Sequence, residues 1–157
     1  MSTRKTFRTG SRKRSTVSRH RRPDALESAF DPKTKWRTLR ADQFDATDAR
    51  EIDGVLDRTV IFGREDWSAA VKGDIEAALR LVIGFMPIGE ITVQVDLAMT
   101  AMLRLALGGN SEAAAAISLV VHHLPGRFAF HREISKSWMI RNVLAAYGKS
   151  HHRLLAE

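Results

Sequence analysis

The chain has 157 residues, a net charge of +7 and no cysteine, with 44% hydrophobic against 27% charged residues. That length and composition suit one globular domain plus a tail, and they exclude a wholly disordered chain. The lack of cysteine excludes disulfides, thiolate metal sites, iron–sulfur clusters and cysteine nucleophiles, and it suits a reducing, cytoplasmic setting.

Charge divides the chain. Residues 1–22 hold nine of the 25 basic residues and no acid, which leaves 16 basic against 18 acidic residues beyond them, a net of −2. The nine are Arg4, Lys5, Arg8, Arg12, Lys13, Arg14, Arg19, Arg21 and Arg22. After Met1 only Phe7 and Val17 are bulky and apolar, too little to offset an ordering entropy of roughly 1–2 kcal/mol per residue. Residues 1–22 therefore read as a disordered Arg-rich arm. With no apolar run behind the basic residues, the arm does not read as a secretory signal. Lacking an apolar stripe, it also makes a poor transit peptide. Ser11, Ser15, Thr16 and Ser18 among the arginines would suit a charge-switched segment or a nuclear address.

The nine cations are the candidate nucleic-acid-binding residues, because guanidinium and ammonium groups on a flexible backbone neutralise phosphates and release counterions. With only Phe7 and His20 able to stack on bases, the expectation is affinity for DNA or RNA without sequence preference. The competing reading is a solvated tail that contacts acidic surfaces generally.

Residues 23–41 read as a linker anchored to the body. Asp24 to Phe30 allows one short helical turn, Asp31-Pro32 breaks it, and Trp36 and Leu39 are the expected anchors. A helical domain follows over residues 42–148. Its first helix is expected from Asp42 to Val60, capped by Asp42 or Asp45, weakened by Gly54 and ended by Gly63. A second is expected from Asp66 to Met86, stopped by Gly84, Pro87 and Gly89.

From Glu90 to Leu107 the polar residues Thr92, Asp96, Thr100 and Arg104 recur every four positions, leaving apolar side chains round most of a helix. Such a helix is either the centre of a bundle or part of an oligomer interface. The β-branched start from Ile91 to Val95 also allows a strand. No stretch reaches the roughly 18 uninterrupted apolar residues of a membrane span.

Gly108-Gly109-Asn110 predicts a break followed by a helix through Val121, with Asn110 or Ser111 as its cap. Pro125-Gly126 ends it, and residues 127–130 alternate as a short extended piece would. A last helix is expected from Arg132 to Tyr147, with Ile134, Trp138, Ile140, Val143, Leu144 and Tyr147 as its buried face and Gly148 after its end. Residues 149–157 read as a frayed tail.

Ser135, Lys136, Ser137, Arg141 and Asn142 would suit a recognition helix, although the preceding connection is too long for a helix-turn-helix. Neither His122-His123 nor His151-His152 can chelate as a pair on a helix, because adjacent residues diverge by about 100°. No metal and no cofactor is expected. No phosphate loop, dinucleotide fingerprint or serine elbow is present, so no catalytic residue is assigned.

The sequence thus predicts an all-α bundle of four or five helices behind a basic arm. The function it suggests is non-enzymatic nucleic-acid association, with the body supplying dimerisation or partner recruitment. The alternative is a helical adaptor or regulatory subunit that binds a protein, and a small enzyme with a pocket built from distant residues is the third class.

Overall fold

The computed structural model describes residues 31–61, 65–126 and 129–154. Every regular element among them is helical, with no strand at Ile91 to Val95 or elsewhere. A 3-10 turn at Pro32–Thr34 leads into α1 (Lys35–Thr38), α2 (Ala46–Asp57), α3 (Asp66–Val71), α4 (Ile75–Ile83), α5 (Val93–Leu107), α6 (Ser111–His122) and α7 (Ala129–Leu154).

Seven α-helices stand where four or five were predicted, for two local reasons. The linker forms the short helix α1, and the single helix expected from Asp66 to Met86 is divided. The division falls at Gly73, whose φ of 106° lies in the left-handed region that glycine adopts readily. Asp74 then caps α4, its carboxylate accepting from the backbone N–H groups of Glu76 at 2.9 Å and Ala77 at 3.1 Å.

Other helix starts follow their sequence signals. Asp45, not Asp42, caps α2, and Asp48 reaches back to the Asp45 N–H to complete a capping box. That helix stops at Asp57, well before Gly63, which lies outside the described residues. The Asn110 side chain accepts from the Ala113 N–H at 2.9 Å, behind Gly109 with its φ of 88°.

α5 is the centre of the bundle. It touches the 3-10 turn, α1, α2, α3, α4 and α6, and every residue from Val95 to Leu103 is buried. Residues 95–103 are thus covered by the chain's own fold, while Val93 at the start of α5 is exposed.

α6 and α7 pack closely because serines face each other between them. Ser118 Oγ donates to the Ser135 carbonyl at 2.8 Å, and Ser135 Oγ donates to the Ser118 carbonyl at 2.9 Å. Both are buried. Ser118→Val is expected to destabilise the protein by about 1–3 kcal/mol, through an extra methyl group in a filled space and the loss of a buried hydrogen bond. Urea unfolding measures this, and a change within about 0.5 kcal/mol would mean the helices are further apart in solution.

α7 differs from its predicted form at both ends. Ala129 and Phe130 are already helical, and the helix passes through Gly148 to Leu154 instead of stopping at Tyr147. Ile134 and Trp138 are buried as expected, but Ile140, Val143, Leu144 and Tyr147 are exposed. At about 100° per residue the six positions do not share a face: Ile134 and Trp138 point one way, the other four roughly the opposite way.

Candidate functional site

The nine arm residues Arg4 to Arg22 and the turn expected over residues 24–30 lie outside the described residues. What the structure does show is how the chain that follows them is fastened. Asp31 caps the 3-10 turn by accepting from the Lys33 N–H at 3.0 Å. Five residues on, Trp36 is 0% exposed and its indole Nε1 donates to Asp96 Oδ1 of α5 at 2.9 Å. Arg37 completes the contact with a two-pronged pair, Nε to Oδ1 at 3.0 Å and a terminal nitrogen to Oδ2 at 3.1 Å. One α5 carboxylate thus accepts three hydrogen bonds from the linker.

The polar stripe of α5 is therefore a docking strip. Thr100 Oγ1 donates to the Lys33 carbonyl at 3.3 Å and to the Asp96 carbonyl at 2.6 Å. Arg104 donates to the Val71 carbonyl at the end of α3. Of the two expected anchors Trp36 is the deep one, while Leu39 is half-buried. Asp96 itself is buried under the linker.

Beside this contact Lys35 donates to Asp48 and Glu51 of α2. Burial disfavours the Lys35 ammonium, but the two carboxylates outweigh it and hold its pKa above the usual 10.5. Burial likewise pushes the Asp48 carboxyl up, yet the Lys35 hydrogen bond and the Asp45 N–H bring it below the usual 3.8. A lowered carboxyl contributes stability that is present above 3.8 and lost as pH falls through its folded value. A raised amine contributes stability present below 10.5 and lost as pH climbs past its folded value. Lys35→Met should therefore cost a constant amount of stability between those limits and progressively less beyond them. Urea midpoints of both proteins across that range test it; a difference that keeps changing near neutral pH would assign the effect to other groups.

The recognition-helix reading of α7 loses most of its residues to internal contacts. Ser135 is bonded to Ser118, and Ser137 Oγ accepts from the Ala41 N–H at 2.9 Å. Arg141 donates to the carbonyls of Ala41 at 3.1 Å and Leu107 at 3.0 Å. Lys136, in a surface pair with Glu133 at 2.9 Å, is exposed and Asn142 is half-buried, so these two of the five remain accessible.

His122 and His123 sit exposed at the end of α6 with rings perpendicular. His131 is buried, and burial together with the nearby Arg37 charge lowers its pKa below 6.5. Among the described residues no three histidine or acidic side chains are grouped to hold a metal. No described helix is long and apolar enough to cross a membrane.

One cleft of about 300 Å³ opens between α2 and the C-terminal end of α5, lined by Ala49, Ile52, Asp53, Arg104, Leu107 and Gly108. Its charged groups, Asp53 and Arg104, face each other at 4.0 Å. Arg104 is also engaged by the Val71 carbonyl, so the cleft presents an apolar floor beside an already balanced ion pair.

No protein family matches the chain, and no curated protein or solved structure is similar to it.

Proposed function

We propose that this is a non-enzymatic, cytoplasmic nucleic-acid-associated protein whose residues 1–22 contact phosphates, carried by a helical body that supplies dimerisation or partner recruitment. The observation that carries the reading is the segregation of charge: nine cations and no acid in the arm, against a net −2 beyond it. Pairing inside the body supports it. Lys35, Arg37, Arg40, Arg80 and Lys136 each face an acid within 4 Å, at Asp48 and Glu51, Asp96, Asp42, Asp66 and Glu133 respectively. Those cations are balanced locally, so a polyanion would find its uncompensated positive charge in the arm.

Direct fastening of the linker supports it further. Trp36 and Arg37 fasten the chain that follows the arm to the central helix through Asp96, which gives a strand held by residues 1–22 a fixed attachment farther along the chain. The test is a salt-series titration of the full chain and of a version lacking residues 1–22 against duplex DNA, single-stranded DNA and RNA. Failure of the full chain to bind all three near physiological salt would remove this reading.

The exposed apolar face of α7 favours the second reading, an adaptor or regulatory subunit whose target is a protein. A complex that survives high salt and forms without the arm would support it.

A further inference from the structure

α7 carries two faces that both ask for cover. His131, Ile134, Ser135 and Trp138 are turned into the fold. Met139, Ile140, Val143, Leu144 and Tyr147 are spread around a direction about 160° away at the helical advance of about 100° per residue. Their exposed fractions are 48%, 61%, 43%, 66% and 73%. Length adds to the effect: 26 residues make a helix of about 39 Å, whereas the 12 residues of its neighbour α6 span about 18 Å. From Met139 to Tyr147 no residue of α7 is fully buried.

The stretch of this face from Met139 to Tyr147 is also free of outward-pointing charge, and one turn earlier the same side carries the exposed Lys136–Glu133 ion pair. Between Met139 and Tyr147 the charged side chain is Arg141, and its guanidinium is turned inward to the carbonyls of Ala41 and Leu107 and lies over the Trp138 ring at 5.7 Å. Ile140, Val143 and Tyr147 follow the alternating three- and four-residue spacing of a helix–helix seam, with Met139 and Leu144 on its flanks.

We propose that this face is a homodimer interface, in which α7 of one copy packs against α7 of a second through Ile140, Val143, Leu144 and Tyr147. The area suffices for a second copy. The five side chains expose on the order of 600 Å² together, the upper end of what a monomer leaves bare; two such faces can remove up to about 1,200 Å², the lower end of a stable specific interface. Over residues 139–147 two identical apolar stretches meet with no like-charge repulsion, and the flanking Lys136 is already paired with Glu133. Contact of the same patch on both copies closes as a two-fold pair and leaves no open surface to propagate. The inference deepens the proposed role of the body and rests on that reading, since a pair joined through α7 would present two arms to one strand.

Sedimentation equilibrium of the full chain across about 1–100 µM, a range suited to an interface of this modest size, tests it directly. The expected mass is twice 17.6 kDa. It should fall twofold in Leu144→Glu/Tyr147→Glu and, as a separate variant, in Ile140→Lys. Circular dichroism should show unchanged helix content in both, because all three side chains point away from the core. A wild-type monomer would overturn the proposal, whether the face is covered by the chain's own residues 23–30 or kept for a different protein. So would a higher oligomer, or a dimer that persists in both variants.

The arm is tested separately by the same proteins. A chain lacking residues 1–22 should remain a dimer. The α7 variants should still bind duplex DNA through the arm, about a hundredfold more weakly on strands long enough for two arms. A full chain that binds duplex DNA as a monomer fails the dimer proposal alone, and a full chain that dimerises but binds no strand fails the reading of the arm alone.

Discussion

Removing residues 1–22 is expected to lower affinity for duplex DNA by about a thousandfold or more at 50 mM salt, and to flatten the salt dependence of whatever binding remains. The size follows from counting charges. If most of the nine arm cations each neutralise one phosphate, the log–log salt slope of the full chain should be about −5 to −8, at roughly −0.9 per duplex phosphate. Between 50 and 200 mM salt such a slope loses about 10³–10⁵ in affinity. The truncated chain keeps a body of net charge −2, so its residual binding should be weak on every strand tested. The arm carries little to read bases with, so duplexes of unrelated sequence should bind alike, within about 1 kcal/mol. Fluorescence anisotropy across a salt series measures both quantities. A shallow slope with a tight complex would transfer the affinity from the arm to the body.

Asp96→Ala is the body substitution with the largest expected effect, a loss of about 2–4 kcal/mol. The carboxylate accepts from Trp36 and twice from Arg37, so its removal strands three donors at once. Trp36 is fully buried and its indole N–H has no route to water. The Arg37 side chain is 23% exposed and recovers part of its hydration, which keeps the cost below that of a wholly buried pair. For a chain of this size the loss corresponds to a fall in Tm of roughly 5–15 °C. Asp96→Asn retains an acceptor for Trp36 and should cost about half as much. Thermal and urea unfolding of both variants, with Arg37→Ala and the double mutant closing a cycle, separate the indole contribution from the guanidinium one. An Asp96→Ala protein as stable as wild type would show that the linker is not docked in solution.

The two results bear on each other. Undocking the linker frees the root of the arm from the body, so Asp96→Ala should leave arm-mediated affinity nearly intact while loosening the coupling between a bound strand and the body.

Much of the local structure was legible in the sequence. Asn110 after two glycines announced the start of α6, and the four-residue polar spacing of Thr92, Asp96, Thr100 and Arg104 announced α5 as a helix needing neighbours. The division of the second predicted helix was also written there: Gly73-Asp74 is a left-handed residue followed by a strong cap, the same signal as at Gly109-Asn110. So was the second face of α7. The rotation of about 100° per residue separates Ile134 and Trp138 from Ile140, Val143, Leu144 and Tyr147 without any coordinates.

By itself, then, the sequence determined the helical class, the caps and the division of charge, because periodicity, capping and net charge depend on residues within a few positions of one another. Only the tertiary structure decided which faces are covered. Asp96 lies 59 and 60 residues from the Arg37 and Trp36 donors that occupy it, and Arg141 lies 34 residues from Leu107 and 100 from Ala41. A helix face does not specify what lies against it. That pairing is settled by which distant segments the closed chain brings together, and it turned the polar stripe of α5 into the anchor of the linker while leaving the outer face of α7 bare.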